Sequence, residues 1–372
     1  MPNPGWLRTQ PPVSFARKDT NLMAQSIQKT GSAAPPLSAS GDFSFGSLLR
    51  RPESGAFLGL LFVFVFFTIF GGLNFLAPSG AASYLNVAAN LGIVALPIGL
   101  LMIAGELDIS IGAMIPAGAM TVAIVSGHYG APIVVGMAAS LLLGVVVGLV
   151  NGFLTVRTAV PSLIVTLGTL FAMQGLVLGL SVLLTGTTSV ALYAPDWVKL
   201  LFGSFIANSF QVMIFWWLLV AVAYYIVIHM SRYGNWIFAM GGDKESARNV
   251  GIPTDRLTIM LFVASSTSAA FVGMCQTILY NSAQVSGGMS FIFNAIVAVV
   301  VGGVLLTGGF GSVIGIFLGT LTFSIVNQGI YFTSFDANWA SLIIGILLLL
   351  AVLMNNTFRK MALSYAPKKG KK

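Results

Sequence analysis

Few side chains in this sequence are able to do chemistry, and they fall in three places. Residues 232–256 read RYGNWIFAMGGDKESARNVGIPTDR and bring Asp243, Lys244, Glu245, Arg248, Asp255 and Arg256 close together. AGELDISIG, at 104–112, sets Glu106 and Asp108 two residues apart with Ser110 beside them. The third place is a scatter. Asn86, Asn90, Asn151, Thr166, Thr169, Gln174, Gln276, Asn294, Asn327 and Gln328 stand singly among aliphatic residues.

These residue types exclude more than they support. Paired carboxylates can share a proton or bind a cation, but no nucleophile and base accompany them. The GxSxG and HExxH patterns and zinc-ligand spacings are missing. His128 and His229 stand at the ends of apolar runs without Cys, Asp or Glu at ligand spacing. Cys275 is the one cysteine and lies inside such a run, where a packed thiol is its ordinary role. No catalytic residue, metal site or bound cofactor is expected. GxxxxGK[ST] is also missing, so uphill transport with ATP would need an ATPase on another chain. The amides admit two roles. They can tie apolar helices together, or they can line a route for an uncharged, hydroxyl-rich solute. Asn86, Asn90, Asn151, Gln174 and Asn294 are the candidates for such a route. Glu106 and Asp108 have two placements open to them, a tight turn in water or a broken helix facing a cavity.

The elements that must position these residues are membrane-spanning. The chain is 56% hydrophobic and 8% charged, where a soluble domain carries about 25% charge. Its 42 glycines suit close helix contacts in lipid. Spanning a bilayer takes about 20 apolar residues, and ten runs qualify: 57–76, 84–104, 109–126, 131–154, 162–185, 210–230, 257–280, 291–307, 312–333 and 338–354. An even count puts both ends on one side. Arg157, Arg232, Lys244, Arg248 and Arg256 share that side with the basic tail from Arg359 to Lys372, whereas the opposite turns hold only Lys199. By the positive-inside rule both termini and the loop at 231–256 are cytoplasmic. The net charge of +8 is therefore a topology signal, and no nucleic-acid partner is expected. Residues 1–54, rich in Pro, Ser, Gln and Gly, are expected to be a disordered tail. Residues 55–356 form the membrane domain, and 357–372 form a basic tail.

Within the charged stretch, local signals define a short helix near 244–250. Asp243 suits the N-cap, Gly251 the left-handed stop, and Pro253 cannot continue a helix. Glu245, Arg248 and the apolar Ala247 and Val250 would form a surface for docking another protein. A helix lying on the bilayer would carry larger apolar residues and more Lys. TGGFGSVIG, at 307–315, aligns with AGELDISIG without gaps and places Gly308, Ile314 and Gly315 on Gly105, Ile111 and Gly112. That suggests duplication, common among transporters. Both turns lie on one side of the membrane, so this pair does not by itself indicate an inverted repeat.

Four passages carry a family resemblance. GELDISIG at 105–112 is close to the pattern G-G-x-D-[LI]-S-[VI]-G. YGNWIFAMGGDKESARNVGI at 233–252 is close to G-R-x-[IV]-x-A-[IV]-G-[GS]-N-x-x-A-A-x-x-[SG]-G-I. VGGVLLTGGFGSVIGIFLGTL at 301–321 is close to G-G-x-S-x-x-G-G-x-G-[ST]-[VI]-x-G-[TA], and NGFLTVRTAVPSLIVTLGT at 151–169 is a weaker fourth. On these the chain resembles the membrane permeases of ribose/simple-sugar ATP-binding-cassette importers, in the branched-chain/monosaccharide permease superfamily. The resemblance implies an all-α membrane protein of about ten transmembrane helices with the vitamin-B12-permease-like (type II) importer fold. It implies a second permease subunit, a cytoplasmic ABC ATPase that binds the ATP, an extracytoplasmic sugar-binding protein, and residence in a bacterial inner membrane. It makes Asp243, Lys244, Glu245, Ala247, Arg248, Val250 and Gly251 an ATPase-coupling helix. The motif turns are Gly105, Glu106, Asp108, Ser110 and Gly112, with Gly308, Gly309, Gly311 and Gly315. Glu106, Asn235 and Asp243 depart from the family pattern, which has a small or polar residue, Arg and Asn there. The implied function is the translocation pathway for a monosaccharide or related polyol. The alternative from the residues alone is a secondary transporter or channel, for which only Glu106 and Asp108 could couple an ion.

Overall fold

One helix, Pro78–Ile103 (α2), is buried along most of its length and organises the rest. Proline is at home in its first turn, where the missing N–H has no partner to lose. In the computed structural model, residues 53–339, 341–350 and 352–353 are described. They belong to a single unit of the chain spanning residues 45–372. The expected tails at 1–54 and 357–372 lie outside the described residues, apart from 53 and 54.

The order along the chain is α1 (Glu53–Leu76), α2, α3 (Ile111–Val122) with a π-helical turn at Ala123–His128, α4 (Ile133–Arg157) and α5 (Ser162–Thr185). There follow β1 (Ser189–Ala191), a short α6 (Asp196–Phe202), β2 (Phe205–Ile206), β3 (Phe210–Gln211) and α7 (Met213–Met230). Then come α8 (Arg232–Gly242), α9 (Lys244–Asn249), α10 (Thr254–Tyr280), β4 (Ser282–Gln284), α11 (Met289–Val301) and α12 (Val313–Gly329), the last extended by a 3-10 turn at Ile330–Phe332. A helix at Ser341–Leu350 (α13) closes the described chain. Eight of these segments are long and apolar enough to cross a membrane, and two shorter apolar helices, α11 and α13, accompany them. All ten expected runs are thus represented.

Two runs differ from expectation in their ends, and one stretch expected as loop is helical. The run at 291–307 is helical only to Val301, because Gly302 caps it and Gly303 turns left-handed at φ 90°. The run at 210–230 begins as strand, since Phe210–Gln211 pairs with Phe205–Ile206 before the helix starts at Met213. The stretch before Asp243 is a second helix, α8, and not a loop. The hydroxyl of Ser231 caps it by accepting from Tyr233 N.

With lipid outside, apolar burial does little to bring spanning helices together, so close contact relies on small residues. α4 and α10 form the most extensive pairing of the fold. Gly144, Gly148 and Gly152 recur every fourth residue along α4. A Cβ on them would lie 2.7, 2.5 and 2.7 Å from the Cα atoms of Thr267, Val263 and Ile259 on α10. The partners step backwards by four, so the two helices run antiparallel with their main chains in contact. Gly92 does similar work on α2. It admits the indole of Trp217, which stacks on Phe317 of α12 at 4.1 Å between ring centroids. α4, α5 and α7 bury little of their apolar length and turn the rest outward.

Candidate functional site

Three of the expected route residues come together. Asn86 and Asn90, one helical turn apart on α2, share a face and border a cavity of about 250 Å³. Gln211, Gln276, Tyr280, Phe291, Asn294 and Phe323 complete most of its wall. The amides are held by one another. Asn90 Nδ2 donates to Gln211 Oε1 at 2.8 Å and to Asn86 O at 2.8 Å, and Gln276 Nε2 reaches Asn90 Oδ1 at 3.5 Å. Asn86 donates to Ser209 O at 2.9 Å and accepts from Gln211 N at 2.8 Å. Gln211 is held there by the strand pair β2–β3, in which it lies opposite Phe205. Asn294 on α11 makes no side-chain hydrogen bond among the described residues, so its amide is available to a solute. The wall contains neutral polar groups and aromatic rings, and no ionisable carboxylate or base.

Asn151 and Gln174 are elsewhere. Asn151 is fully buried between α4, α5 and the acidic turn, and acts as a strut. Gln174 is exposed on α5, beside the buried stripe of Leu170, Met173 and Val177 and not within it. Gln211, Tyr280, Phe291 and Phe323 were missed. Gln276 and Tyr280 repeat the one-turn spacing of Asn86 and Asn90, and that spacing was the available signal; Gln211 offered none.

At the C-terminal end of α2, all four motif passages meet. From Asn90 to Ile103 is about 20 Å along the helix axis. There Gly309 N donates to Ile103 O at 2.8 Å. A Cβ on Gly308 would stand 3.1 Å from Gly105 Cα, and one on Gly241 would stand 1.7 Å from Ile103 O and 2.4 Å from Gly309 N. Gly105, Gly308 and Gly309 all adopt left-handed φ, at 84°, 83° and 73°, which glycine alone takes without strain. Ser162 Oγ accepts from Leu107 N at 3.2 Å and Thr166 Oγ1 from Ile109 N at 3.3 Å, fastening the acidic turn to α5. The two aligned glycine turns therefore touch.

Glu106 and Asp108 part company within this turn. Asp108 is buried rather than in a water-filled turn. Its Oδ1 accepts from Ser110 N at 2.9 Å and Ser110 Oγ at 2.5 Å. Burial pushes its carboxyl above the usual range, against the Ser110 hydrogen bonds that pull it down. Glu106 accepts from Lys244 Nζ at 2.5 Å, with its side chain 11% exposed. Gly112 and Gly315 are close-packed. A Cβ would reach 2.5 Å from Ile292 on the first and 2.2 Å from Gly302 O on the second. Gly311 likewise leaves room for Ile103 and Val304.

α9 has the caps its residues call for. Asp243 Oδ1 accepts from Ser246 N at 2.8 Å, and Gly251 turns left-handed at φ 88°. Its expected docking face is rearranged. Ala247 is 4% exposed and faces the body, Arg248 pairs with Asp255, and Lys244 pairs with Glu106. Glu245, Ser246, Asn249 and Val250 remain outward, the last 78% exposed, and the paired Arg248 side chain is itself 57% exposed.

Residues 80–352 match the family model described as branched-chain amino acid transport system / permease component. The chain belongs to that permease family. It is an all-α integral membrane transport protein and not an enzyme. The fructose import permease protein FruG of Bifidobacterium longum is 31% identical across 72% of this permease and 79% of its own length. The autoinducer 2 import system permease protein LsrD of Photorhabdus laumondii is 31% identical across 70% of this permease and 78% of its own. A probable ABC transporter permease protein of Sinorhizobium fredii is 31% identical, with shares of 74% and 80%. No solved structure gives a significant match to this permease.

Proposed function

We propose that this permease is the membrane subunit of an ATP-binding-cassette importer and forms the route for a monosaccharide or related polyol. The observation that carries this is the separation of two sites along α2. A neutral amide-and-aromatic cavity lies beside the middle of α2, and the α8–α9 segment, its outer face unpartnered among the described residues, lies beyond its C-terminal end. Amides serve as both donors and acceptors, so a ring of them suits a solute rich in hydroxyls. Aromatic rings supply the apolar surface for its C–H faces. The relatives named for import of fructose and of autoinducer 2 agree with a small oxygen-rich solute.

In this reading α9 contacts a separate cytoplasmic ATPase through Glu245, Asn249 and Val250. The cavity opens to an extracytoplasmic sugar-binding protein, and a second permease subunit completes the pathway. The protein sits in the bacterial inner membrane with both termini cytoplasmic. Its own residues supply the route and its lining, and ATP is bound by the partner.

The test is affinity purification of the tagged permease from gently solubilised membranes, with ATP hydrolysis assayed in the eluate. An ATPase should co-purify, and Val250→Glu should release it while leaving the permease in the membrane. Uptake of labelled D-fructose or D-ribose that survives ATP depletion but collapses with the proton gradient would overturn the proposal in favour of a secondary transporter.

A further inference from the structure

Glu106 stands where the family pattern has a small or polar residue, and the structure gives it a specific partner across 138 residues of sequence. Lys244 is the first residue of α9, immediately after the capping Asp243. Its ammonium meets Glu106 at 2.5 Å, with the two side chains 34% and 11% exposed. Removing Lys244 would leave the nearly buried Glu106 carboxylate without its counter-charge. The pair lies beside the meeting of Gly241, Gly105 and Gly308, where main chain touches main chain. Glycine contacts fix distance and hold by dispersion alone, without a charged attraction that resists being pulled apart. The ion pair supplies that attraction. Glu106 is three residues beyond Ile103, the last residue of α2, and its own N–H donates to Leu101 O at 2.9 Å. The same helix carries Asn86 and Asn90.

We propose that Lys244 and Glu106 form a clasp by which movement of α8–α9 is delivered to α2, and along α2 to the amide cavity. The clasp transmits movement and does not grip the ATPase, because both of its groups are engaged within the chain. This rests on the reading of α9 as the ATPase contact. Glu106 and Lys244 are thus positioning residues for transport, and neither touches the solute.

The experiment uses membrane vesicles holding the complete importer, with Cys275→Ala and Asn294→Cys as a common background. The rate at which a membrane-impermeant maleimide labels Asn294→Cys is measured with and without ATP plus vanadate. In the parent, nucleotide should change the rate by about tenfold, the size of a two-state population shift of this order. Glu106→Lys and Lys244→Glu should each reduce the change to under about twofold, while co-purification of the ATPase persists. The double exchange should restore most of it. Lys244→Ala, which removes attraction without opposing like charges, should also lose the change, and it serves if the reversed chains fail to accumulate. Single variants that respond like the parent overturn the clasp, as does a double exchange no better than the singles. Loss of the ATPase from the singles overturns it too, by making the pair part of the grip. A parent that shows no nucleotide response and co-purifies no ATPase removes the importer reading itself.

Discussion

Asn151 Nδ2 donates to Ser110 Oγ at 3.0 Å, and so joins the middle of α4 to the start of α3. The bond is one link in a chain. Thr169 Oγ1 donates to Asn151 Oδ1 at 2.6 Å, and Ser110 Oγ donates onward to Asp108 at 2.5 Å. A residue that resembled a contact for solute is the keystone between three helices. Asn151→Leu should destabilise the folded permease by about 1–3 kcal/mol, the cost of leaving buried partners unsatisfied. The transition temperature in detergent, followed by loss of the monodisperse peak after heating, reads this. Unchanged thermal behaviour with altered solute affinity would return Asn151 to the route.

The α4–α10 contact makes a contrast between glycines testable. Gly148→Ala would put a methyl 2.5 Å from Val263 Cα, where no side chain can yield. Prising two main chains apart costs at least about 1–3 kcal/mol, and the same thermal assay should show it. Gly179→Ala on α5 meets nothing within 4 Å. It should be neutral or raise stability by up to about 1 kcal/mol, the helix-propensity difference between the two residues.

Asp108 predicts a pH dependence with a definite sign. Burial raises its carboxyl above the ordinary value of 3.8, so the folded chain holds the proton where the unfolded chain has released it. Its contribution to stability is full below the unfolded value and is lost as pH rises through the folded one. Each tenfold difference in proton affinity is worth about 1.4 kcal/mol. Asp108→Asn keeps an acceptor for Ser110 and cannot ionise. Its thermal stability relative to the parent should therefore improve steadily from pH 4 upward. A parallel pair of pH profiles would contradict the raised value.

Asn294 should control solute affinity. Its amide projects into the cavity unengaged, whereas Asn86 and Asn90 are already committed to partners. Removing one neutral hydrogen bond costs about 0.5–1.5 kcal/mol, so Asn294→Ala should raise the half-saturating concentration for uptake of the transported sugar by roughly twofold to tenfold. Thermal stability should stay near that of the parent. A variant that takes up the sugar with unchanged kinetics would show that the solute bypasses Asn294.

The sequence alone was a good guide where one local rule decides the structure. Asp243 and Gly251 bound α9 because capping is settled within a few residues. The ten apolar runs follow from the thickness of a bilayer. It was a poor guide where an answer depends on which face of a helix meets which neighbour. Asn90, Asn151 and Gln174 look alike in isolation. One lines a cavity, one is a buried strut and one faces outward, and only the tertiary arrangement separates them. Ala247 was misjudged as an outward apolar residue for the same reason. YGNWIFAMGG lacked obvious helix signals because two glycines close it, yet Ser231 starts α8 with an ordinary cap.

Where Gly105, Gly241 and Gly308 meet, the atoms in contact are those common to every polypeptide. Such a joint has no intermediate grades. A side chain added at Gly241 or Gly308 forces the turns apart, and one at Gly105 is strained by its left-handed φ of 84°. How firmly the segment is seated is therefore left to neighbouring side chains. In this chain that place is occupied by an acid and a base, Glu106 and Lys244.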